Sequence, residues 1–594
     1  MKKEAFEQQI QTYEALLKQQ KHRFKLIGFV KLAHICFVGF LIYVIFAGDA
    51  RTMTLMISGV IAAVLVVFWL YHEKLKARIK YGEGIVAINR CHLERISGQW
   101  SGFADVGSEF VNQEHPYGSD LDIVGKKSLF QLLNTTHTWH GRQRFAADLL
   151  NPDYTADELM MRQAAIKELS EDLVFSNDIQ YQFSQIGVHT AAKFIPTWLA
   201  DQTVLMKRKS LILLVLYGPL ILLLLAAFTF LTRLSVLYLA VAFLFACQLL
   251  VWGISSFKTG QYLAQVSRLS DNLEAYTPVI HALQHRSFTS DKLVMIQASL
   301  SESQHGAAVG IKELAQLAKR INLRRNGMAF VILNSLLLFD WVTAIRFEAW
   351  KNKYASHAAS WFSNLGEFES LLSFSHLPNV MTSACLPTVV EEKMMVAKQL
   401  GHPLITNEKR VSNDMTCQNQ IFIISGSNMS GKTTFMRSVG VNLILARAGS
   451  FVCAKEMSFF PLHVMTSMRI ADDLNAGIST FYGELKRIKG IIDLAKKQPN
   501  LLFLIDEIFR GTNSVDRLIG AKTILEKLNA LGVMGMITTH DLELCDLAAT
   551  HMRIQNYSFS ETYTEQGIHF DYQLKSGKSL TTNATYLMKM MDMI

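Results

Sequence analysis

Residues 210–231, SLILLVLYGPLILLLLAAFTFL, hold no charged side chain. As a helix this run is about 33 Å long, against a bilayer hydrocarbon core of about 30 Å. Residues 234–257 follow at once and contain a single amide, Gln248. Two such runs joined by a short turn with one arginine read as a transmembrane hairpin. A second hairpin is predicted earlier, from Met53–Tyr71 and the less uniform Leu26–Ala47, which includes Lys31 and His34 and joins its partner through "GDART". Lys31 can snorkel to the interface. The late start of the first apolar run and the lack of a small-residue cleavage site favour a span over a cleaved leader. A further apolar stretch, "MAFVILNSLLLFDWVTAIRF" (328–347), carries Asn334 and Asp340 in mid-run and reads as a buried helix of a soluble part.

Lysine and arginine set the orientation. Lys2, Lys3, Lys18, Lys21, Arg23 and Lys25 precede the first pair and Lys74, Lys76, Arg78 and Lys80 follow it, while Lys207, Arg208, Lys209 and Lys258 flank the second. The positive-inside rule then predicts a multi-pass protein of the cytoplasmic (inner) membrane, with both termini and the large soluble parts on the cytoplasmic side. These flanks carry more positive charge than the whole chain's net +9, so the remainder is slightly acidic. The basic balance therefore argues for anionic lipids at the flanks, and it is no argument for nucleic acid. Seven scattered cysteines show no CxxC pair or zinc spacing, as in reduced core thiols.

The fold class expected is multidomain: an α-helical core plus a C-terminal α/β P-loop domain, with two transmembrane helical hairpins. The boundaries are a polar helix over 1–25, hairpin one over 26–71, helical core over 72–209, hairpin two over 210–257, more helical core over 258–400, and the α/β domain over 401–594.

Within that last domain, "GSNMSGKTT" follows the apolar run "QIFII" and precedes a stretch of helical spacing. Strand, glycine loop and helix N-terminus cradle phosphate, because glycines let the backbone close in and the helix end adds partial positive charge. The cradle runs through Gly426, Ser427, Asn428, Met429, Ser430, Gly431, Lys432, Thr433 and Thr434. Lys432 is placed to reach the β- and γ-phosphates, and the Thr433 hydroxyl to ligate Mg²⁺. "LLFLIDEIFRGTN" ends a second apolar strand in Asp506, a further Mg²⁺ contact, and Glu507, a carboxylate that polarises the attacking water. A third strand, "VMGMITTH", brings His540 to the same sheet edge as a γ-phosphate sensor.

Together "GSNMSGKTTFMRSVGVN", "GISTFYGELKRI", "DEIFRGTN" and "TTHDLEL" resemble the ATPase domain of the MutS mismatch-repair family. Asn428, Met429 and Arg510 are features of that family among P-loop proteins. "LGHPLI" and "VSNDM" extend the likeness upstream, and "GKKSLFQLLNTTHTWHGRQRFAADLLNP" and "RQAAIKEL" are similar to the family's helical core. The resemblance implies ATP and Mg²⁺, a homodimer, and Ser479 and Thr480 acting in trans on the second subunit's nucleotide. DNA is the partner it implies. Residues 1–114 are expected to lack a mismatch-recognition domain, and no nuclease tail is expected before Ile594. Ser427 replaces the usual loop proline, and Arg410 falls where the family often has an aromatic stacked on adenine. Two functions follow: a membrane-tethered MutS-like ATPase that grips DNA without reading mismatches, or a membrane ATPase that acts on a protein or lipid partner. An ABC-type transporter fits less well, since the LSGGQ signature is missing.

Overall fold

The computed structural model describes residues 3–47, 51–187, 209–267, 273–301, 306–469, 480–509, 513–564 and 567–579. Two long antiparallel helices, α1 (Lys3–Ala47) and α2 (Arg51–Ser97), open the chain. Neither contains proline, so each runs unbroken through the change from polar to apolar sequence. Stacked rings fix their register: Phe24 on His72 at 4.0 Å and Phe6 on His92 at 4.9 Å between centroids.

The helical core is built from α3 (Trp139–Leu150), α4 (Ala156–Glu171) and α5 (Leu173–Ser184), followed after an apolar hairpin by α8 (Tyr276–His285), α9 (Asp291–Ser301) and α10 (Ala307–Asn322). The hairpin is α6 (Lys209–Thr232) and α7 (Ser235–Ser267). Thr138 caps α3, and Thr155 with Glu158 forms a capping box at α4, which satisfies amides that an α-helix leaves free at its start. Among the described residues, Ile212–Thr232 and Ser235–Phe257 are the two helical stretches each long and apolar enough to cross a membrane. Their flanks turn Leu224, Phe230, Leu239 and Phe243 outward. Exposed apolar area of this kind marks a surface that meets a partner or a membrane.

The stretch read as one buried soluble helix is something else. It divides at Leu338, which adopts left-handed φ/ψ of 48° and 42°, into α11 (Gly327–Leu337) and α12 (Phe339–Ser375). The two axes meet at 81°. Asn334 is the buried residue of α11, while Met328, Val331, Ile332, Leu336 and Leu337 are exposed. The reason lies in the polar residues: Asn334 turns back to hold the broken backbone, so the apolar face is left outside. From there α12 runs as the axis of the helical core, burying Trp350, Tyr354, Trp361, Phe368 and Leu371.

Strands β1 (Thr388–Val389), β2 (Met394–Leu400), β3 (Asn413–Gln418) and β5 (Glu456–Phe459) form a small sheet in the order β1-β5-β2-β3. The main sheet runs β12-β9-β4-β8-β7-β6, where β4 is Ile421–Ser425, β6 His463–Ser467, β7 Leu501–Asp506, β8 Met534–Thr539, β9 Ile554–Ser558 and β12 Lys575–Ser576. All its neighbours are parallel except β12 against β9. A hairpin of β10 (Glu561–Thr564) and β11 (Gly567–Phe570) completes the strands. β4, β7 and β8 are buried at every position, as a parallel sheet covered on both faces requires. Phe422, Ile424, Leu502 and Leu504 face the core they share with the helical part, which also packs α13 (Lys432–Arg447). Ile421, Ile423, Leu501 and Phe503 face a second core with α14 (Thr480–Lys497) and α15 (Ser514–Ala530).

One buried ion cluster crosses the junction. Arg162 of α4, 1% exposed, donates to Asp148 of α3 at 2.8 Å and to the Ala448 carbonyl, just past α13, at 2.8 Å, and lies 3.5 Å from Glu367 of α12. Replacing one partner of a buried pair strands the rest, so Arg162→Met is expected to destabilise the protein by on the order of 3 kcal/mol. A thermal unfolding midpoint unchanged from the parent would refute this role. Nearby, burial pushes the Glu369 carboxyl up from 4.5 to about 7, against the opposing hydrogen bonds from Thr138 and the His137 amide. A raised folded value means that the folded state holds the proton longer. The stability Glu369 contributes is thus complete below about pH 4.5 and lost as pH rises through about 7, at about 1.4 kcal/mol per pH unit. Glu369→Gln is expected to remove that slope from the pH dependence of unfolding.

Candidate functional site

β4 delivers the chain into the glycine loop, residues 426–431, and α13 begins at Lys432. The first glycine is required: its φ is 148°, and a Cβ there would lie 2.6 Å from the Phe559 carbonyl oxygen. Gly431 closes the loop at a φ of 108°. Between them Met429 adopts a φ of 67° and points its side chain into solvent, 86% exposed. Lys432 is buried and folds back across the loop, donating to the carbonyls of Gly426 at 2.8 Å and Ser427 at 2.7 Å. Ser427 Oγ donates to Glu561 at 2.8 Å, which ties the loop to β10. Ser430 Oγ donates to the Ser427 carbonyl at 2.9 Å, and Thr434 lines the cleft from the first turn of α13.

Asp506, at the end of β7, accepts from the Thr433 hydroxyl at 2.9 Å and from the Thr538 hydroxyl at 2.7 Å. Thr538 in turn accepts from the Glu507 amide at 3.1 Å. Glu507 has a φ of 53°, a left-handed conformation that costs a non-glycine residue about 1–2 kcal/mol. That turn brings its carboxylate to 2.8 Å from His540 Nε2, which is also 2.9 Å from Asn428 Oδ1. Both neighbours are acceptors, so Nε2 carries the proton. Side chains thereby tie the loop to the ends of β7 and β8, two strands that already pair through their backbones.

A cleft of about 440 Å³ opens over the loop, within the range of small-ligand pockets. Its walls include Leu400, His402, Ile405, Val411, Phe559 and Tyr572. Burial, helped by Arg437 and Arg410, pushes His402 down to about 3, so its ring is uncharged at neutral pH. Hydroxyl and carboxylate oxygens at Thr433 and Asp506 suit a hard divalent cation. Among the described residues no group of three or more His, Cys, Asp or Glu gathers to hold a metal ion, so such an ion would draw its other ligands from phosphate and water.

Residues 422–593, from β4 onward, match the family profile described as MutS domain V. By that match the α/β domain is of the MutS family's domain V type. The DNA mismatch repair protein MutS of Aquifex pyrophilus is 33% identical over 200 residues, 32% of this chain and 23% of that protein. MutS protein homolog 4 of Mus musculus is 32% identical over 233 residues, 37% of this chain and 24% of that protein. The DNA mismatch repair protein MutS of Natronomonas pharaonis is 34% identical over 200 residues, 32% and 23%. The chain thus spans about a quarter of the length of the curated relatives it matches.

Within the MutS domain the structure brings Asn428, Lys432, Thr433, Asp506, Glu507 and His540 together. Ser479 and Arg510 lie outside the described residues, and α14 begins at Thr480. Arg410 is not a stacking group. Its guanidinium turns away from the cleft and donates to the carbonyls of His402 at 2.9 Å and Ile405 at 2.6 Å and to Asn407 at 2.9 Å. A guanidinium beside a tight turn is held there by two backbone carbonyls and the Asn407 side chain.

Sequence reasoning missed several contributors. Tyr572 forms a cleft wall, with its ring 3.1 Å from where a Gly431 side chain would begin. Glu484, buried on α14, accepts from the Phe509 amide and so anchors the turn after Glu507. Asp120 accepts from Thr466 Oγ1 at 2.6 Å and from the amides of Met468 and Arg469 at 3.1 and 3.0 Å, while Asp122 pairs with Arg469 and Arg437. "DLD" in a polar loop gives no local signal of that partnership. The hydroxyl of Thr538 was visible in "MITTH", where a threonine two positions before a site histidine marks the same strand end.

Arg410→Met is expected to lower the unfolding midpoint by freeing buried carbonyls, at about 1–3 kcal/mol. It should leave the ratio of adenine to guanine nucleotide affinities unchanged, as read by fluorescent-nucleotide competition.

Proposed function

We propose that this chain is a membrane-tethered MutS-like ATPase, in which ATP binding and hydrolysis within a dimer drive conformational change in the helical core. The carrying observation is the linked set Thr433–Asp506–Thr538 and Glu507–His540–Asn428, which joins a phosphate-sized loop to two carboxylates at one sheet edge. Members of the MutS family bind ATP and act as dimers on DNA, and DNA is the partner this reading takes. The outward apolar surface of α6 and α7 supports tethering in a bilayer, and the positive flanks favour the cytoplasmic side for the domain.

The residues divide the work by charge. Lys432 exchanges the carbonyls of Gly426 and Ser427 for phosphate oxygens, bringing a positive charge to where negative charge develops. Thr433 and Asp506 would hold Mg²⁺, which supplies charge neutralisation on phosphate oxygens when bound. Glu507 takes a proton from the attacking water, and the Nε2 proton of His540 keeps that carboxylate beside Asn428 of the loop. Ser479 completes the neighbouring subunit's site in trans.

Glu507→Ala is expected to bind ATP like the parent and lose turnover by about 10²-fold or more, whereas Lys432→Ala weakens both. Wild-type hydrolysis by Glu507→Ala would remove it from the role. Ser479→Ala also loses turnover, and verified mixed dimers with Lys432→Ala should recover part of it. DNA-stimulated hydrolysis that fades across a salt series supports the DNA reading. Indifference to duplex and branched DNA moves the partner to the membrane or a protein.

A further inference from the structure

The polar residues inside the apolar runs have one joint use. Where α11 breaks from α12, backbone groups near the break lose their helical partners, and in this structure they are satisfied by side chains. The Ser335 carbonyl accepts from Gln248 Nε2 of α7 at 2.7 Å. The Asp340 amide donates to Asn334 Oδ1 at 2.9 Å, and Asn334 Nδ2 donates to the Phe330 carbonyl at 3.0 Å. Asp340 is buried, and its carboxylate faces Arg324 at 3.3 Å, whose guanidinium lies against Gly260. A helix break at a water-exposed surface needs none of this, since water serves the freed groups. A break inside hydrocarbon needs all of it.

The elbow also follows the apolar hairpin closely. Phe330 packs edge-on to Trp252, Ser335 meets Gln248, Trp341 Nε1 donates to Ser255 at 2.6 Å, and Phe347 lies against Tyr262. The chain therefore climbs along α7 to Gln248 and returns to Tyr262. Gln248 is nine residues inside Phe257, the end of the apolar run, which is about 14 Å of helix and near half of a 30 Å slab. Over the climb, Met328, Val331, Ile332, Leu336 and Leu337 are exposed, as are Leu250 and Ile254 on the same stretch of α7.

We propose that α11 and the first turns of α12 form a re-entrant elbow that enters the bilayer beside hairpin two, turns near the midplane and leaves on the side it entered, with phospholipid acyl chains covering its outer face. This rests on the membrane-tethered reading above. The elbow gives α12, the axis of the helical core, a lipid-embedded end.

The test uses the full chain in liposomes with the ATPase domain outward. The exposed and half-buried cysteines Cys36, Cys91, Cys247 and Cys385 are replaced by alanine, and single cysteines at Val331, Ile332, Leu224 and Met552 carry a bimane label. Leu224 reports hairpin two and Met552, 98% exposed, reports water. Nitroxide on the lipid acyl chain is expected to quench Val331→Cys and Ile332→Cys at least half as strongly as Leu224→Cys, and to leave Met552→Cys unquenched. Quenching at Leu224 with none at either elbow position overturns the elbow and leaves tethering intact. No quenching at Leu224 removes tethering, and the elbow with it. An impermeant maleimide should label Asn326→Cys and Lys353→Cys from the same face. Labelling from opposite faces would mean that the segment crosses, which also overturns the elbow.

Discussion

Of the two apolar cores that flank the main sheet of the α/β domain, one is not the domain's own. One face of its main sheet, through Phe422, Ile424, Leu502 and Leu504, is covered by the same continuous cluster that holds Phe145, Ile166, Trp361 and Phe368 of the helical part. Removing the helices would expose that face to water, and removing the sheet would expose the helices. Each buried leucine or phenylalanine is worth about 1.5–3 kcal/mol, so no other interaction here approaches this one in size. The buried Arg162 cluster adds direction to it. Charges at that depth tolerate only one arrangement of α3, α4, α12 and the end of α13.

The nucleotide-type site was legible because its chemistry is local. Glycine spacing, a strand ending in two carboxylates and a strand ending in histidine each occupy a few consecutive residues, and a parallel sheet gathers its strand ends on one edge without further instruction. What was not legible came from distance. Asp120 reaches Thr466 across some 350 positions, and nothing in its own neighbourhood distinguishes it from a solvated acid. Arg410 shows a related effect: position along the chain suggested a place beside the base, while the turn at residues 402–407 binds the guanidinium through all three of its nitrogens.

The elbow shows a limit of composition arguments. Asn334 and Asp340 in an apolar run indicate that something polar must be satisfied, and a soluble core is one place where that happens. The alternative depends on who satisfies them. Here Asn334 holds the Asp340 amide, Arg324 faces the Asp340 carboxylate, and Gln248, from a helix nearly a hundred residues away in sequence, donates to the Ser335 carbonyl between them. Asn334, Asp340 and Gln248 looked like blemishes on two separate apolar stretches, and they are complementary parts of one joint.

One consequence concerns leverage. At 1.5 Å per residue, the 37 residues of α12 make a rod about 55 Å long, free of proline and anchored by Glu369 to the start of α3. From Glu369 back to Leu338 the arm is about 46 Å, so a tilt of about 5° at the anchored end sweeps the far end by about 4 Å. That is about three quarters of the roughly 5.4 Å rise of one helical turn. A small rotation beside the α/β domain is magnified into a displacement large enough to change which side chains interlock at the other end, and a push there is returned as torque.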